Sequence, residues 1–255
     1  SDAPDAGSTR RYYQHVNKFS AQFAFATDMA MLTLGGYLKQ KEHLSARLGD
    51  VLSALYMASM VLKHYENQGR PEADLPLVEW SCRTLLYKAQ EQLHDFLRNF
   101  PNRFIAGAMR LVIFPRGRTY FAASDRLGRA IVEPLMMPSA TRDRLAWGIY
   151  RTVEPGNPIG LLQEALELSV ATEPLEKRIR VEGVKTGLIT ALELPGQIEQ
   201  AIAAGLINAA EAAQLREFDR KVMDIINVDD FSGEELMAAV QAEPKESGAG
   251  AAKLQ

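Results

Sequence analysis

Cysteine is nearly missing from this chain. Its 255 residues hold one, Cys82, so no intrachain disulfide can form and the fold must rest on packing, as suits a reducing compartment such as the cytosol. Long apolar runs are missing too: nothing approaches the roughly 20 residues that span a bilayer, and the opening SDAPDAGSTRR lacks the apolar stretch of a signal peptide. The four histidines (15, 43, 64 and 94) include no pair at metal-ligand spacing. The nearest metal fragment, Glu91-x-x-His94, occurs once, whereas di-metal carboxylate bundles need it twice with two further glutamates. It reads as a solvated i, i+3 pair. A Gly-x-Ser-x-Gly elbow is absent, Gly35-Gly36 and Gly117 open no phosphate-binding pattern, and Asp229-Asp230 lacks the alternating oxygen ligands of a calcium loop. Strand alternation is almost absent. These gaps leave a helical protein with no catalytic, cofactor or metal ligand of its own that the sequence can name.

What is present is helical periodicity. Tyr12, Val16, Phe19, Phe23, Ala26 and Ala30 alternate steps of four and three, which predicts a helix from Arg11 to about Lys41. Leu44, Leu48, Val51, Leu55, Ala58, Leu62 and Tyr65 form a second ladder, ended by Gly69 and Pro71. A third runs through Val78, Cys82, Leu85, Ala89, Leu93 and Phe96 and is closed by Pro101, which puts Cys82 in a core as a small buried thiol. The expected fold is all-α: three long antiparallel helices, part of a four-helix bundle whose fourth member lies upstream, then shorter helices and extended connections. Helical patterning returns over 158–182, 194–204 and 209–226. Asn208 and Glu211 stand at capping-box spacing for the last of these. The resulting organisation is a lead-in over 1–10, a bundle over 11–100, an Arg-rich segment interrupted by Pro and Gly over 101–158, an acidic helical region over 159–236, and a disordered tail over 237–255.

Charge is unevenly spread. From Arg98 to Arg151 ten arginines face three acids, a balance of +7, whereas nine basic and eighteen acidic residues follow from Thr152 to the end. Within the basic stretch Arg103, Arg110, Arg116 and Arg118 alternate with Phe104, Ile105, Leu111, Val112, Ile113 and Phe114. An interfacial segment has this composition: guanidinium groups meet phosphates while Ile113 and Phe114 enter an apolar phase. The competing expectation is a helix docked on the body, with its arginines partly buried beside carboxylates of the acidic tail. Nucleic acid is a poor partner, because the aromatic residues sit in apolar runs and the chain is acidic overall, at a net charge of -3.

The run from Ser45 to Trp80, SARLGDVLSALYMASMVLKHYENQGRPEADLPLVEW, resembles the C-terminal region of bacterial FadE-type fatty acyl-CoA dehydrogenases. Arg11-Tyr-Tyr-Gln-His, Leu34-Gly-Gly, Arg98-Asn-Phe-Pro-Asn-Arg103, Ser139-Ala-Thr-Arg-Asp-Arg144, Gly160-Leu-Leu-Gln-Glu-Ala165 and Ile226-Asn-Val-Asp-Asp-Phe231 extend the likeness over nearly the whole chain. The stretch from Arg47 to Leu62, with Arg47, Leu48 and Asp50, is also similar to the C-terminal bundle of very-long-chain acyl-CoA dehydrogenases, which implies membrane association and dimer architecture.

The first resemblance implies a parent that converts fatty acyl-CoA to the trans-2-enoyl thioester in β-oxidation, with FAD as hydride acceptor. It also implies a flavin-binding catalytic portion, carrying a Glu-Gly-Ala-Asn-like motif, as this chain's partner. That motif does not occur here, so the chain alone is expected to be inactive and, beginning at Ser1, a fragment. The remaining expectations are a homodimer and a cytoplasmic location, peripheral on the inner face of the membrane. Arg103, Arg110, Ile113, Phe114, Arg116 and Arg118 are the expected membrane or docking contacts. The alternative is a free-standing helical interaction protein derived from that module.

Overall fold

The computed structural model describes residues 6–154 and 156–226, together with 233, 234 and 237. Every regular element among the described residues is helical, and the chain divides into two compact units, residues 1–147 and 148–255.

The first unit is built on three long helices, α1 (Arg10–Leu34), α2 (Glu42–Asn67) and α3 (Leu75–Arg98), each packed against the other two. All seven residues of the α2 ladder are buried, as are Val16, Phe19, Ala26 and Ala30 of α1. Of the adjacent pair Leu85 and Leu86 in α3, Leu86 is fully buried and Leu85 half-buried at the core's edge. Adjacent helical residues differ by only about 100° around the axis, so periodicity alone does not separate them. Cys82 is wholly buried, and burial pushes its thiol pKa up to about 12, so it remains an unreactive core group.

One boundary differs from the periodicity. The α-helix of α1 stops at Leu34, and a 3-10 turn carries Gly35–Gln40. Gly35 sits at φ +51°, a backbone region that side chains disfavour, while its N–H still bonds to Met31 O.

Residues 101–147 belong to this same unit. Asn102 caps α4 (Arg103–Ile113), its Oδ1 accepting from Phe104 N at 3.0 Å and Ile105 N at 3.2 Å. Ala106, Met109 and Ile113 of α4 then join the core. A non-helical strap over 114–124 leads to α5 (Asp125–Met136) and α6 (Ala140–Leu145). The start of α3 is tied to α6 by Asp74, which accepts a bidentate pair from Arg144 (Nε to Oδ2 2.7 Å, Nη2 to Oδ1 2.6 Å) and a further bond from Thr141 Oγ1. Burial works against the Asp74 carboxylate, but these hydrogen bonds outweigh it and hold its pKa below the ordinary value.

The second unit contains α7 (Pro158–Arg178), a π turn (Ile179–Val184), α8 (Leu194–Ala203) and α9 (Ala209–Ile226). Its core gathers Leu175, Ile179, Ile189, Ile198, Ala201, Ile207, Ala212 and Leu215. The expected capping box is present: Asn208 N donates to Glu211 Oε2 at 2.8 Å and Glu211 N to Asn208 Oδ1 at 2.9 Å. Two ion pairs stitch α7 to α9, Arg178 with Glu211 at 3.0 Å and Lys221 with Glu164 at 2.6 Å. Gly160 and Gly183 are sites of close approach, since a Cβ on the first would overlap Thr152 O and on the second Ile189 Cδ1. Residues 227–231, which carry part of the resemblance, and 238–255, expected as tail, lie outside the described residues.

Candidate functional site

The sequence singles out six residues around α4, and the structure separates them into two groups. Ile113 is 1% exposed and Phe114 9%, both within the first unit's core. They are therefore not the side chains that enter an apolar phase. The reason is rotational: α4 carries apolar residues nearly all round, and docking through Ala106, Met109 and Ile113 turns a different stripe outward. That stripe is Phe104, Ala108 and Leu111 at i, i+4, i+7, with Val112 beside it. Phe104 is 92% exposed, Leu111 72% and Val112 61%.

The four arginines are exposed, and of the four only Arg118 is paired with a carboxylate among the described residues. Arg103 donates from Nη1 to Arg98 O at 2.7 Å, and Arg118 pairs with Glu91 at 3.0 Å, which also gives that glutamate a partner other than a metal. Arg110 is likewise exposed on α4, and Arg116 follows it on the strap. The outward face of α4 thus combines an apolar stripe with cations.

A second arrangement lies along the strap and was not singled out from sequence. Gln90 is buried in α3 and clamps the strap as a neighbouring strand would: Tyr120 N donates to Gln90 Oε1 at 2.9 Å, and Gln90 Nε2 donates to Tyr120 O at 3.0 Å. Gln22 Nε2 of α1 holds the strap's start by donating to Ile113 O at 2.6 Å. The Tyr120 ring stands edge-on to His15, centroids 4.8 Å apart, and to Phe19 at 5.4 Å. Burial raises the Tyr120 pKa, so the phenol stays neutral.

Two hollows open beside the clamped strap, of about 450 and 460 Å³, and Arg11, His15 and Thr119 line both. Arg83, Glu79 and Phe121 complete the first, while Lys18, Gln22 and Arg116 complete the second. Arg83 Nε donates to Tyr12 OH at 3.3 Å. His15 has its pKa lowered, first by burial and then by the fields of Arg11 and Lys18. The available signal was the spacing of Arg11, His15 and Lys18 at i, i+4 and i+7, which places them on one helical face.

No helix of the described residues is long and apolar enough to cross a membrane. No solved structure matches the chain. The family described as "Acyl-CoA dehydrogenase, C-terminal, bacterial type" matches residues 1–231, which include all of the first unit and the described helices α7 to α9. The chain belongs to that family of bacterial-type acyl-CoA dehydrogenase C-terminal domains.

Proposed function

We propose that this chain is the non-catalytic C-terminal module of an FAD-dependent fatty acyl-CoA dehydrogenase, and that it docks the enzyme on an anionic membrane through the outward face of α4. The parent activity would be oxidation of acyl-CoA to trans-2-enoyl-CoA, the first step of β-oxidation, at a cytoplasmic membrane face. A catalytic portion outside this sequence would supply both the carboxylate that takes the α-proton and FAD, which accepts the hydride. Charged side chains are a minority in the lining of either hollow, Arg11, Lys18, Glu79, Arg83 and Arg116 in all, and we assign FAD to the portion that would carry the catalytic carboxylate.

The observation that carries the membrane reading is the α4 stripe, with Phe104, Leu111 and Val112 in solvent beside Arg103, Arg110 and Arg116. Basic residues near an anionic surface contribute roughly 1 kcal/mol each, and this part weakens as salt shortens the Debye length. Insertion of Phe104 and Leu111 would contribute about 1.5 to 3 kcal/mol each if fully buried, and it resists salt. Flotation on anionic vesicles tests both parts. Serine at Arg103, Arg110 and Arg116 should lower flotation at low salt to the level that the wild-type chain keeps at high salt, and Phe104→Ser with Leu111→Ser should abolish what remains at high salt. If both variants float like the wild-type chain, α4 is not a membrane contact.

The homodimer and the contact with the flavin-binding portion belong to the same reading. Leu52, Tyr56 and Met60 form an exposed stripe on α2 and are the surface we assign to a second copy. Sedimentation of a Leu52→Glu/Tyr56→Glu variant should show monomer where the wild-type chain shows dimer. A wild-type chain that is monomeric at every concentration rules this assignment out.

A further inference from the structure

The hollows beside the strap are basic well beyond what the fold requires. Arg11, Lys18, Arg83 and Arg116 line them against a single acid, Glu79, and none of these four cations makes an ion pair within 4 Å among the described residues. Elsewhere in the same unit, arginines that approach a carboxylate are paired, as Arg144 is with Asp74 and Arg118 with Glu91. Cations gathered in a concave site repel one another, and that cost is offset when an anion enters.

The cations are also presented from a rigid frame. Arg11, His15 and Lys18 project from one face of α1, Arg83 from α3, and Arg116 and Thr119 from a strap pinned by Gln22, Gln90 and the ring contacts of Tyr120. Arg11 and Lys18 are seven residues apart on a helix, about 10 Å at 1.5 Å per residue, and four cations lining the two hollows match the charge of two linked phosphates better than that of one. At the rim of the first hollow Phe121 is 78% exposed although the strap passes directly over an apolar core. A ring in that position offers a face on which an aromatic base can stack.

From this geometry we infer that the cleft flanking the 115–121 strap binds a soluble nucleotide bearing two phosphates, with Arg11, Lys18 and Arg116 on the phosphates, Thr119 as a hydroxyl donor and Phe121 under the base. This role uses the α1 face and the strap and shares only Arg116 with the membrane contact of α4, so Arg11 and Lys18, which that contact does not use, tell the two apart.

Titration of the full chain with pyrophosphate and with ADP, followed by calorimetry or amide chemical shifts at constant ionic strength, tests it. Saturable binding of both is expected, tighter for ADP. Arg11→Ser with Lys18→Ser should weaken both about tenfold or more, as loss of charge-assisted hydrogen bonds implies. Phe121→Ala should remove only the advantage of ADP. Arg116→Ser, a change on the exposed strap that leaves the α1 face intact, should weaken both ligands and guards against misfolding of the double variant. Arg103→Ser with Arg110→Ser should change neither ligand. Equal binding of sulfate at matched ionic strength, or unchanged binding by the α1 and strap variants, overturns the site. An ADP affinity no better than that of pyrophosphate overturns the nucleotide assignment. If the cleft variants lose only vesicle binding and the wild-type chain takes no soluble ligand, the phosphate belongs to a lipid headgroup and the proposal fails.

Discussion

The two units solve the same problem with different means. The first buries continuous ladders on three long helices and adds a fourth helix and the start of the strap to one apolar cluster. The second has shorter helices, a much smaller cluster, and leans on a capping box, two ion pairs between α7 and α9 and glycines where backbones nearly touch. Apolar burial contributes in proportion to area, whereas partly exposed ion pairs contribute little. The first unit should therefore be the more stable, and heating should give two transitions with the second unit melting first.

The largest effect expected is in the first core. Leu55→Ala should cost about 2 to 5 kcal/mol by transfer loss plus cavity and should move only the upper transition. A change below about 0.5 kcal/mol in chemical denaturation would mean that the stripe does not carry the unit.

Next is the clamp between α3 and α6. Asp74→Asn leaves Arg144 half-paired and should cost about 2 to 3 kcal/mol, less than a fully enclosed pair because Arg144 stays partly in water. The folded Asp74 pKa is depressed, so this stabilisation is complete above the unfolded value of about 4 and disappears as pH falls through the folded value. Wild type and variant should converge in acid; a gap that persists at pH 2 would mean that the carboxylate charge is not what the clamp uses.

In the second unit Gly183→Ala forces a methyl into Ile189 and should cost about 1 to 3 kcal/mol, lowering only the lower transition. Because Ile189 Cδ1 is the end of a flexible side chain, Ile189→Val should relieve part of the loss. The smallest effect is at the cap of α9, where Asn208→Ala should cost about 1 kcal/mol. If Asn208→Ala proves worse than Leu55→Ala, the contrast between the units is reversed.

Much of this was legible in the sequence. The α2 ladder, the burial of Cys82, the all-α fold, the Asn208–Glu211 box and the family itself follow from spacing and from the resemblance over Ser45 to Trp80. What escaped was set by contacts distant in sequence. Asp74 and Arg144 lie 70 residues apart, and Gln90 and Tyr120 lie 30 apart, so no local pattern joins them. Ile113 and Phe114 were open to misreading for another reason. In an 11-residue helix with apolar groups nearly all round, periodicity does not say which side is inward; only the position of α3 and the core decides it.

The π turn at Ile179–Val184 has a consequence for how the chain tolerates insertions. Its bonds step five residues back, as in Lys185 N to Arg180 O at 3.0 Å, so one turn holds an additional residue compared with an α-helix. Side chains after it are out of phase with α7 by roughly one residue's rotation, about 100°. In the vocabulary of insertions and deletions, the turn is a single-residue insertion that the fold has already absorbed. Deleting Val181 would therefore return the turn to α-helical bonding while the residues that follow keep the positions they now hold, Gly183 against Ile189 among them.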